Sequence, residues 1–211
     1  MSSTTRNVCV LLLALVLGVG TSLAKDQDQD QGWYLSFLAG LKDGIQTTGE
    51  WATDGVDVLI AVNDGGKSSE EVWSGTVKDL GWEKYLVDIS DYAGKEISLE
   101  VSVSAGKQGN ANFDWFVLAE PALMNEFTPV MSLLREVKHK KETVISKDGK
   151  DTVLSDEEFG SRAYAGKFTS KSVEKEGIYI HPPFKGDVVG SMRVTFPVKV
   201  AKPKNWKEHE L

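Results

Sequence analysis

Short apolar or alternating runs, each closed by a turn signal, recur along residues 32–121 of this chain. Segments this short cannot bury a helical face, so the pattern forces neighbours to pair as strands. ISLEVSVS alternates most cleanly: Ile97, Leu99, Val101 and Val103 share one face, and Ser98, Glu100, Ser102 and Ser104 the other. WYLSFLAGL, VDVLIAVN, EEVWSGTV, EKYLVDI and FDWFVLAEP are the other strand candidates, and Asn63-Asp64-Gly65-Gly66 is the strongest turn signal. Strands at this spacing predict a mainly β chain, a β-sandwich or jelly roll.

Residues 122–165 read as a connection. Thr128-Pro129 suits an N-cap and first helical position, with Val130, Leu133, Leu134 and Val137 at helical spacing, so one short helix is expected. A strand is its close competitor. The charged run REVKHKKE would be the solvated end of that helix, and KDGKD a turn. Strand signals return over residues 166–200, in GKFTSKSV, EGIYIHPPF and SMRVTFPVKV. Pro182-Pro183 cannot donate ladder hydrogen bonds, so the middle strand ends there or lies at an edge.

Residues 1–24 have the layout of a secretory signal peptide: a polar start with Arg6, the apolar run VCVLLLALVLGVG, then Ser22 and Ala24 before a cut at Lys25. An uncleaved anchor is the alternative. Cleavage removes Cys9, the only cysteine, and with it any disulfide, thiol nucleophile or thiolate metal site. The expectation is a secreted or periplasmic protein with no membrane span after cleavage. Residues 25–31 form a polar spacer, 32–200 a single domain and 201–211 a tail. With 41% hydrophobic residues the chain can fill a core. Its formal charge of -7 and lack of a Lys/Arg block argue against a nucleic-acid partner.

Two stretches resemble a known family. DISDYAGKEISLEVSV and NANFDWFVLAEP are similar to the last strands of galactose-binding-like β-sandwich modules, including carbohydrate-binding modules attached to bacterial glycoside hydrolases. GLKDG, DGVDVLIAVN, EEVW and GWEKYLVDIS look like the middle strands of that fold. EGIYIHPPFKGDVVGSMRVTFPV, with its Gly-x-x-x-His-Pro phrase, resembles the opening strands, yet comes last. The resemblance implies a circularly permuted sandwich in which residues 166–200 complete what residue 32 begins. A fragment of a tandem array is the rival explanation.

Sugars are bound by stacking on aromatic rings, with polar side chains fixing the hydroxyls. Trp51 sits among Thr, Gly, Glu and Asp between strand candidates, which makes it, with Asp54 and Trp82, the expected ligand-binding set. Trp73 and Trp115 lie in apolar runs and are expected in the core. Asp114, with Asn110, Asn112 or Glu120, offers the oxygen-rich donors that calcium takes; a buried, hydrogen-bonded Asp114 is the alternative. Asp43, Asp54 and Asp57 form a second acidic group without EF-hand spacing. The resemblance implies a structural corner for Tyr92, with a ligand contact the alternative, and His181 is expected as a structural histidine. No zincin, nucleophile-elbow, P-loop or Rossmann motif is present in the sequence. The expected function is non-enzymatic recognition of a glycan. The alternatives are a structural or protein-interaction module of the bacterial envelope and a small hydrolase acting on polysaccharide.

Overall fold

A computed structural model describes residues 32–49, 52–106, 109–126, 128–186 and 188–202. The signal-peptide reading, the spacer, Trp51 and most of the tail lie outside the described residues. The chain is a two-sheet β-sandwich whose named pairings are all antiparallel. In order come β1 (Trp33–Leu41), β2 (Val56–Asn63), β3 (Glu70–Val77), β4 (Glu83–Asp88) and, after a 3-10 turn at Ser90–Tyr92, β5 (Glu96–Ala105). Then follow β6 (Phe116–Asn125), β7 (Thr128–Ser132), α1 (Leu133–Glu136), β8 (Lys140–Lys147) and β9 (Lys150–Ser155). β10 (Arg162–Ser170), β11 (Val173–His181) and β12 (Val189–Lys199) close the chain.

The first sheet runs β10-β11-β6-β1-β4, with β7 also on β6; the second runs β3-β2-β5-β12-β8-β9. Period-2 alternation buries one face of each. Phe37, Leu41, Phe116, Leu118, Ile178 and Ile180 of the first meet Ile60, Leu99, Val101, Val103, Val194 and Phe196 of the second. The alternating segment read from sequence is β5, with its four apolar side chains buried. Tyr92 occupies a corner: its ring is buried and its hydroxyl donates to Glu70 Oε2 at 2.7 Å. Burial and the Glu70 contact push its pKa up to about 12.

β6 is central, yet it carries Pro121. Opposite Phe37 of β1 it spends two residues, Glu120 and Pro121, and Glu120 takes φ 48°. This bulge accommodates the missing N–H. Before it, β6 borders β11; after it, β6 borders β7.

Two segments depart from the sequence reading. Thr128 and Pro129 do not start a helix but pair as β7 with the second half of β6. The helix is only the turn Leu133–Glu136, held by the Ser132 N–H donating to Glu136 Oε1 at 2.7 Å. The charged run beyond it enters β8, where Thr143 and Val144 are buried and Val144 pairs with Ser191 of β12. β-branched residues with an available partner strand outweigh a weak helical period.

GKFTSKSV, read as one strand, is instead a hairpin. Lys171 and Ser172 both have positive φ, 47° and 62°, which makes the two-residue primed turn matching strand twist. Neither residue is glycine. The Asp43 carboxylate compensates by accepting from both turn N–H groups, at 2.8 and 3.0 Å.

Candidate functional site

A sheet face turned to solvent is normally polar, but the outer face of the first sheet is not. Val117, Ala119, Phe168 and Tyr179 are buried there as a second apolar cluster, with Leu38, Trp82 and Trp115 packed around them. The cluster follows from register. On β10 and β11 the outward rungs are Arg162↔His181, Tyr164↔Tyr179, Gly166↔Gly177 and Phe168↔Lys175. The Phe168 ring lies over Gly166, where a Cβ would stand 3.2 Å from it, and Gly177 lets the neighbouring strand approach, since a Cβ there would lie 2.7 Å from the Leu118 carbonyl oxygen. Phe168, Tyr164 and Tyr179 pack together with ring centroids 5.0–6.0 Å apart.

Beyond Tyr179 the face opens into a cleft of about 270 Å³. Arg162, Tyr164, Tyr179 and His181 of β10 and β11 line it together with Lys42, Trp115 and Phe184. Tyr164 is 47% exposed and Phe184 50%. Phe184 meets His181 edge-on at 5.0 Å, and its N–H donates to the Phe159 carbonyl at 3.0 Å. Lys42 reaches over the Trp115 ring, 4.7 Å from its centroid, while its backbone N–H donates to the Trp115 carbonyl.

His181 is buried and its Nδ1 lies 2.6 Å from the Pro182 carbonyl oxygen. A carbonyl only accepts, so Nδ1 carries the proton and Nε2 is an acceptor. Burial chiefly, with the Arg162 charge, lowers the His181 pKa, although the Pro182 bond opposes this; the ring is neutral near pH 7. Burial pushes the Tyr179 hydroxyl up, so it stays protonated.

The residues singled out from sequence fall into two places. Trp82 is half-buried at the edge of the outer cluster, its Nε1–H donating to the Val173 carbonyl at 2.8 Å. Trp73 packs in the main core against Phe37 and Tyr85. Trp115, expected in the core, is half-buried and lines the cleft. Asp114 is fully buried and accepts from Thr53 Oγ1 at 2.8 Å, while its Oδ2 has no hydrogen-bond partner. Burial first, then the charges of Asp54 and Asp57, raise its pKa to about 7 against the opposing Thr53 bond.

Asn110 Nδ2 donates to the Ala52 carbonyl at 3.1 Å, so Asn110 and Asp114 both fasten the segment that follows Trp51. Glu120 stands elsewhere: it lies about 20 Å along the extended chain from Asp114 and is paired with Lys175 at 3.0 Å. Among the described residues no three His, Cys, Asp or Glu come together as a metal-binding group. The described residues also include no helix long and apolar enough to cross a membrane.

Arg162, Tyr164 and Tyr179 were not among the sequence candidates. Their signal was present: Tyr164 and Phe168, like Tyr179 and His181, keep the even spacing of one strand face. Comparison with family models, curated proteins and solved structures finds no match.

Proposed function

We propose that the chain is an exported, non-catalytic module that recognises carbohydrate at the aromatic cleft of the first sheet. One observation carries the reading: Tyr164 offers a half-exposed ring on a rigid strand, beside Tyr179 and His181 with hydrogen-bonding atoms at the ring edges. A pyranose presents C–H bonds on its face and hydroxyls on its rim, which is the complement of that surface. Strands hold such a ring in place more firmly than a loop does. The resemblance to galactose-binding-like modules in permuted order enters the same reading. Its support is that β11 and β12, which resemble opening strands, lie beside β6 and β5, which resemble closing ones.

Calorimetric titration with soluble polysaccharides tests the placement. Tyr164→Ala should weaken binding at least about tenfold, the scale of a stacked hot-spot ring, with the melting temperature within a few degrees. Trp51→Ala is the comparator. Loss of binding in Trp51→Ala but not in Tyr164→Ala would move the site to the loop and overturn the cleft.

A further inference from the structure

We infer that this cleft selects acidic sugars, pyranoses bearing a carboxylate or a sulfate ester, over neutral ones; the inference rests on the glycan reading above. Two cations, Lys42 and Arg162, line the cleft, and no carboxylate does. In a chain with formal charge -7, such a cluster is not a sample of the average surface. Among the described residues neither cation forms a salt bridge.

Two acids whose charges reach groups of the cleft are already engaged. Glu157, whose charge reaches Arg162, accepts from Lys141 Nζ and from the Ala163 N–H, both at 2.9 Å. Asp114 is sealed inside and bonded to Thr53. A guanidinium left without a carboxylate in a cleft is a vacancy for a planar anion, which it grips through two parallel N–H donors.

Geometry ties the charge to the ring. Arg162 and Tyr164 are two residues apart on β10 and face the same way, a spacing of about 6.5 Å. A hexuronate stacked on Tyr164 carries its carboxylate one bond outside the ring, toward Arg162. Lys42 lines the same cleft, held over Trp115. That ammonium covers the indole, so Trp115 positions a charge while Tyr164 supplies the stacking face. Neutral His181 adds no positive charge and leaves an acceptor for a hydroxyl.

The test titrates the full chain with oligogalacturonate, its fully methyl-esterified form, a sulfated galactan oligosaccharide and a neutral galactan oligosaccharide. The free acid should bind at least tenfold more tightly than the methyl ester, and the advantage should shrink as salt rises. The sulfated arm tells whether a sulfate ester serves in place of the carboxylate. Arg162→Gln and Lys42→Gln should each bring acid binding down toward the ester level.

Equal affinity for acid and ester, both lost in Tyr164→Ala, would overturn the acidic preference and leave the glycan site standing. Binding to none of the four would overturn the glycan reading itself, and binding indifferent to Tyr164→Ala would overturn the cleft as its site and the inference with it. Polyglutamate bound as tightly as oligogalacturonate would also overturn the inference, reducing the cleft to a general anion attractor.

Discussion

The two outer faces of the sandwich are built on the same alternation and have opposite chemistry. Across the second sheet, Asp57, Ser74, Thr76, Ser102, Ser104 and Ser191 line a hydroxyl-rich trough of about 590 Å³. Across the first sheet, the corresponding positions hold Val117, Phe168, Tyr179 and Trp115. Both sheets bury an inner face in the shared core. A solvated face filled with Ser and Thr satisfies a sandwich. The first sheet departs from that default with a second apolar cluster on its outer side.

The sharpest way to break this comparison is to truncate one residue on each face. Phe168 is 5% exposed, and Phe168→Ala should cost about 3–5 kcal/mol, the scale of a core aromatic. Leu59 is 36% exposed on the trough, and Leu59→Ser should cost within about 0.5 kcal/mol. Urea midpoints measure both. Similar small losses would mean that the outer cluster is a decorated surface with no packing of its own.

Asp114 sits just before β6, bonded to Thr53 of the segment leading into β2, and it sharpens the comparison through pH. Its folded pKa, about 7, lies above the ordinary carboxylate value, so the folded chain binds the proton more tightly than the unfolded one. Stability from this group is therefore fullest at acid pH. It declines as pH rises from about 4 to about 7, by up to about 4 kcal/mol, and is flat above that. Asp114→Asn should remove the decline, as followed by thermal melts across that range. A profile identical to the parent's would show that the buried carboxylate stays charged.

The smallest effect tests the glycine rung. Gly177→Ala places a methyl 2.7 Å from the Leu118 carbonyl oxygen and 2.8 Å from Val117 Cγ1. It should cost about 1–3 kcal/mol and disturb the aromatic cluster, read as a change in near-ultraviolet circular dichroism. Ser102→Ala in the trough is the silent control.

The strands were legible where burial is one-sided. β2 and β3 begin and end where VDVLIAVN and EEVWSGTV do, because alternation and flanking turn residues agree. β7 was not, because Thr128-Pro129 suits both a helix start and an edge strand, and only β6 decides between them. The hairpin at Lys171-Ser172 was hidden because its turn residues are not glycine; its determinant, Asp43, lies in a different part of the chain. The cleft was hidden for the same physical reason. Arg162, Tyr164, Tyr179 and Trp115 become neighbours only through the register of three strands, and no local pattern encodes register across such distances. Trp115 was read as core because its neighbours are apolar, yet one step of alternation turns its ring to the other face.

The last of the described strands, β12, lies in the interior of its sheet, between β5 and β8, and β11 lies between β10 and β6. Neither sheet can close before these two strands have emerged. Until residues 173–199 emerge, β5, β6 and β8 expose unpaired edges, and the pairing that completes them spans long loops, which makes it slow. A copy that lacks β11 and β12 is left with open edges ready to capture a neighbour.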